Sequence, residues 1–87
     1  MNKLDLIVEY YDDEELLKAD GFDEAILGVV EDFNMPPRIA YSVKKCIEIL
    51  EERDGMSEID AMEYFSYNVS GAYVGEKTPL WVQDDFE

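Results

Sequence analysis

Eighty-seven residues with a formal net charge of −15 and 47% apolar side chains make one domain, too short for two independent cores. Eleven aromatics (six Tyr, four Phe, one Trp) argue for a folded chain rather than a disordered one. One cysteine, Cys46, and no histidine exclude an internal disulfide framework, fit a reducing cytoplasm and leave no metal site or cofactor expected.

The N-terminus, Met1-Asn2-Lys3-Leu4-Asp5, lacks a basic stretch followed by a long apolar run, so no secretory signal is expected. No apolar stretch approaches the roughly 20 residues of a membrane span. Asn68-Val69-Ser70 matches the glycosylation sequon, read as chance without a secretory route. Charge is uneven: residues 1 to 34 hold eleven acids and two lysines, a net of −9. Residues 35 to 53 carry a net of +1, and residues 54 to 87 a net of −7. Such a chain repels phosphate backbones and anionic membranes. The expected partner is a protein with a basic surface or a second copy of the chain, with no direct nucleic-acid or membrane contact.

Leu4, Ile7, Val8 and Tyr11 lie at i, i+3, i+4 and i+7, a helical stripe. On the alternative reading, Asp12 with Glu15 caps a fresh helix while Leu6-Ile7-Val8 stays extended. The helix is placed over 12 to 18, within an acidic N-terminal segment of residues 1 to 20, and stops at Asp20-Gly21. Residues 22 to 33 fit both periods. The short, β-branched run around Gly28 favours a buried strand over 25 to 30, since glycine disfavours a helix interior by roughly 1 kcal/mol. Asn34-Met35-Pro36-Pro37 is read as a break and residues 38 to 42 as a second strand, giving a hairpin with a loop of about five residues.

Ser42 caps a helix over 43 to 53 whose apolar face is Val43, Cys46, Ile47 and Leu50. Asp54-Gly55 ends it, and Ser57 with Asp60 starts another over 58 to 72. On that helix Ala61, Tyr64, Phe65, Asn68, Val69 and Ala72 follow the buried side. Lys77-Thr78-Pro79 turns into a last strand, 79 to 83, before a frayed acidic tail, 84 to 87. The resulting fold class is α+β: a small, mainly antiparallel sheet of about three strands, packed on a helical pair, plus an N-terminal helix. The sheet's other face is left to the N-terminal helix or to a second subunit.

Candidate chemistry is sparse. The helices joined by Asp54-Gly55-Met56-Ser57 have helix-turn-helix spacing, but the second carries no Lys or Arg to read bases, so a packed hairpin is the better description. Asp12-Asp13-Glu14-Glu15 is a solvated helix start that complements the dipole rather than a catalytic pair or a metal loop. Cys46 has no histidine to act as its base and reads as a buried structural thiol. The one candidate ligand or partner site is the Gly75 to Thr78 turn, where Glu76, Lys77 and Thr78 fall beside Tyr73, with Tyr41 from the second strand. Against it stands a plain turn, with Tyr73 and Trp81 in the core and Glu76-Lys77 solvated. Three roles remain open: a non-enzymatic interaction module acting through its acidic surface, a small-ligand-binding protein or enzyme at this turn, and a structural homo-oligomer.

The order Phe22 to Val30, then Ile39-Ala40-Tyr41, then Cys46-Ile47-Glu48-Ile49-Leu50 resembles a group of small uncharacterised proteins of tailed phages, especially marine cyanophages. Arg53-Asp54-Gly55-Met56-Ser57, Tyr64-Phe65, Asn68 and the run Gly71 to Pro79 are similar to it too. The likeness covers residues 22 to 83 and leaves the acidic N-terminal segment without a counterpart. It implies a phage-type origin and the host-cell cytoplasm, and it carries over neither activity nor functional residues.

Overall fold

The structure, a computed structural model, describes residues 3–11, 16–69, 71, 75 and 77–86. Helix α1 spans Lys3–Tyr10, and a 3-10 turn, Asp23–Ala25, leads into strand β1, Ile26–Asp32. Strand β2 is Met35–Ser42, helix α2 Val43–Asp54, helix α3 Glu58–Tyr64 and strand β3 Leu80–Val82. The fold is α+β, with one mixed sheet in the order β1-β2-β3.

Strands β1 and β2 form an antiparallel hairpin, and β3 joins β2 in parallel through Ala40↔Leu80, Tyr41↔Trp81 and Ser42↔Val82. A parallel neighbour needs a crossover of a dozen or more residues, and α2 with α3 supplies it. The hairpin is tighter than the expected five-residue loop: only Phe33 and Asn34 form the turn, and Pro36 and Pro37 lie inside β2. They are tolerated because they form the bulge of β2, two residues set against Glu31 alone between the pairs Val30↔Arg38 and Asp32↔Met35, and because β3 reaches only Ala40–Ser42. Neither proline is asked for a ladder donor there.

Register sorts the side chains into two faces. Ile26, Tyr41 and Trp81 share one row, with Val29 and Ile39 on the same face. These meet Phe22, Ala25, Cys46, Leu50, Ala61 and Phe65 in the core. Helix α1 lays Leu4 and Ile7 against that core. The other face carries the row Gly28, Ala40 and Leu80. Space above Gly28 is open, since a Cβ there would meet nothing within 4 Å.

The N-terminal helix lies earlier than the 12 to 18 placement. Residues 12–15 fall outside the described residues, and 16–19 are not helical. A physical reason is visible at Ala19, whose N–H goes to the Tyr41 hydroxyl at 2.8 Å instead of up a helix. Its carbonyl accepts from Phe22 N–H at 3.2 Å, which turns the chain toward β1.

The expected helix over 58 to 72 is α-helical through Tyr64 and then widens into a π turn, Phe65–Val69; residues 70 and 72 lie outside the described residues. The buried side is narrower than the expected stripe, an i, i+4 pair that Tyr64 flanks before the wider turn begins. Ala61 and Phe65 are buried, whereas Tyr64 and Asn68 are exposed, so Asn68 does not interrupt the core.

Both expected helix starts are present as hydrogen bonds. The Ser42 hydroxyl accepts from Lys45 N–H at 3.0 Å, and that of Ser57 from Asp60 N–H at 3.2 Å. Gly55, at φ +69°, closes α2 in the left-handed region and donates its N–H to the Leu50 carbonyl. Ser42→Ala is expected to cost about 1–2 kcal/mol, read as a lower urea midpoint. A cost near zero would mean that water replaces the cap at this buried position.

Candidate functional site

At the sequence-predicted site, Thr78 N–H and Thr78 Oγ1 both donate to the Gly75 carbonyl, at 3.1 and 2.6 Å. Lys77 and Thr78 are half-buried in this turn. Tyr73 and Glu76 lie outside the described residues. Tyr41 is wholly buried; it stacks on Trp81 at 5.1 Å, and Phe65 meets Trp81 edge-on at 5.3 Å. Burial raises the Tyr41 hydroxyl's pKa above its ordinary value, against the opposing Ala19 N–H bond.

Beside this turn runs a cleft of about 320 Å³, between Phe22, Arg53, Tyr64, Asn68, Pro79 and Trp81. Arg53, which the sequence analysis did not single out as a site residue, organises one wall. Its Nη1 donates to the Gly21 carbonyl at 2.7 Å, and its Nε and Nη2 fork onto Asp54 at 3.1 and 3.2 Å. The guanidinium also sits 5.4 Å from the Phe22 ring centre. Gly21 has φ +89°, and a Cβ there would lie 2.7 Å from Arg53 Nη1, so the contact requires glycine. The hydrogen bond from Arg53 holds the Asp54 carboxyl below the usual range. Trp81 Nε1 is buried and has no hydrogen-bond partner among the described residues.

Cys46 is wholly buried, and burial, with Asp84 nearby, pushes its thiol up to about 12. The folded state keeps a proton that the unfolded thiol loses near 9.0. This contribution is complete below that value and is lost as pH rises toward the folded one. The native chain is therefore expected to resist a disulfide reagent at about pH 8, reacting only as fast as it unfolds. Rapid native labelling would refute this burial.

A second concavity, about 310 Å³, runs between α2, α3 and the tail. Buried Val43 and half-buried Ile47 form its floor, exposed Met62 is an apolar part of its wall, and Glu48, Glu51, Glu58 and Asp85 line it as well, with Lys44 paired to Asp85 at 3.7 Å. Helical spacing builds it: Val43 and Ile47 lie one turn apart on α2, as do Glu58 and Met62 on α3. The tail wall is anchored by Asp84, whose carboxylate lies at the start of α2 and accepts from Lys44 N–H at 3.4 Å. The Ser42 hydroxyl holds that carboxyl below the usual carboxylate range. The anchor is thus present above the ordinary carboxylate pKa and is lost as pH falls through the lowered value.

Among the described residues, no three thiol or carboxylate groups converge as metal ligands, and no helix is long and apolar enough to cross a membrane. No family model, curated protein or solved structure matches this chain.

Proposed function

We propose that this chain is a non-enzymatic interaction module, a small phage accessory protein by its resemblance, that engages a basic surface of another protein. The observation that carries the reading is the placement of its acids. Glu52, Glu58, Asp60 and Glu63 are exposed along α2 and α3, with Glu48 and Glu51 half-buried between them. Seven acids on α2 and α3 stand against Lys44, Lys45 and Arg53, and among the described residues Lys44 and Arg53 pair with Asp85 and Asp54, which leaves a net negative field around the helical pair. Such a field steers a cationic partner and repels like-charged ones. One form of this activity is mimicry of nucleic-acid charge toward a DNA-binding enzyme.

The test is affinity capture from host lysate at stepped ionic strength. One basic protein, held at low salt and released as salt rises, is the expected result. Retention of no basic protein at the lowest salt would overturn it.

A second reading, small-ligand binding at the cleft beside the Gly75 to Thr78 turn, is favoured by the buried Trp81 Nε1, which has no hydrogen-bond partner among the described residues. Because Trp81 is the sole tryptophan, its fluorescence reports on that cleft. A fragment set that leaves the emission unchanged would remove this reading.

A further inference from the structure

The geometry points to the groove between α2, α3 and the tail as the seat for a segment of another protein that inserts one large apolar side chain between flanking lysines or arginines. The inference rests on the acidic-surface reading and narrows it to one place and one partner chemistry.

Size, floor and rim each constrain the occupant. A space of about 310 Å³ lies at the small end of ligand pockets and admits one or two side chains rather than a folded surface. Its floor is apolar, and the apolar surface continues outward on α3, where Ile59 and Met62 are 70% and 52% exposed one turn apart. An apolar centre inside a charged rim is the general anatomy of a binding patch. Here the rim holds Glu48, Glu51, Glu58 and Asp85 against the single cation Lys44, which itself is already paired.

Charge complementarity therefore selects a cationic occupant. A second copy fits badly. The chain's own basic residues stand singly in the sequence except Lys44-Lys45, which belong to this same helix, and two copies at −15 each repel.

The probe is a short synthetic peptide of alternating lysine and leucine pairs, with two controls: serine for leucine, and glutamate for lysine. Binding is followed by backbone amide shifts of the full chain at low salt. The expected result is lysine–leucine binding with shifts confined to residues 43–51, 58–62 and 83–85, and no response to the glutamate peptide. Glu48→Lys with Glu51→Lys is expected to weaken binding about tenfold. Met62→Ser, at an exposed position that the fold does not depend on, is expected to weaken it about fivefold.

Equal affinity for the lysine–serine peptide would overturn the apolar seat while sparing the acidic-surface reading. Shifts centred elsewhere, or the same shifts appearing with self-association on concentration, would overturn the assigned site or its occupant. Failure of both lysine peptides to bind at low salt takes the acidic-surface reading down as well.

Discussion

Leu50→Ala is expected to destabilise the chain by about 3 kcal/mol, within the range of roughly 2–5 for a large-to-small change in a packed core. Leu50 is one of the largest wholly buried side chains, beside Tyr41, Ile39 and Cys46. It lies on α2, where the helix faces the sheet, so its loss opens a cavity shared by both layers. Its carbonyl also receives the Gly55 and Met56 N–H groups at the end of α2, and this restrains the backbone from collapsing into the gap. A domain of this length has on the order of 4–13 kcal/mol in total, and about 3 kcal/mol corresponds to a melting temperature lower by roughly 12–24 °C. Urea unfolding followed by far-ultraviolet circular dichroism reads the change as a lower midpoint at unchanged slope. A loss below about 1 kcal/mol would mean that Leu50 is not packed between the layers.

Elements governed by local chemistry were legible in the sequence. Ser42, Ser57 and Gly55 bound their helices where the capping pattern puts them, and Gly28 marks a strand rather than a helix. What the sequence withheld is long-range. Nothing local says that Leu80–Val82 runs parallel to β2, because that direction is set by where two helices deliver the chain. Pro36 and Pro37 read as a break, since their tolerance depends on a bulge in β2 itself, which appears only once the register against β1 is known.

Tyr41 illustrates the same limit at the candidate site. A tyrosine at a strand end offers a polar tip for a ligand, yet its hydroxyl receives the Ala19 N–H across 22 positions. The groove was half visible. Val43, Cys46, Ile47 and Leu50 form one stripe on paper, but Cys46 and Leu50 are wholly buried while Ile47 is half-buried at the groove floor. Its remaining wall, Gln83 and Asp85, arrives only through the parallel strand.

That dependence makes Trp81 the second position of large effect. Strand β3 has three residues and three ladder partners, too little backbone pairing to hold an edge strand alone. Trp81 supplies the rest by stacking on Tyr41 and meeting Phe65 edge-on, contacts of about 0.5–1.5 kcal/mol each beyond their buried area. Full truncation of a core tryptophan costs roughly 3–5 kcal/mol. Two features lower the figure here: the side chain is half-buried, and removing Nε1 deletes a buried donor that has no partner among the described residues, which offsets part of the loss. Trp81→Ala is thus expected to cost about 2–3 kcal/mol. Trp81→Phe keeps a ring in the stack, removes that donor and is expected to stay within about 1 kcal/mol. Urea midpoints separate the two variants. The alanine variant is also expected to free the tail beyond β3, so Asp84 leaves the Lys44 amide and Asp85 leaves the groove rim. Loss of the Lys44 amide shift and of lysine–leucine peptide affinity would then occur together, at urea concentrations where α2 remains folded. Intact peptide binding in a Trp81→Ala chain with a detached tail would show that the tail is no wall of the groove.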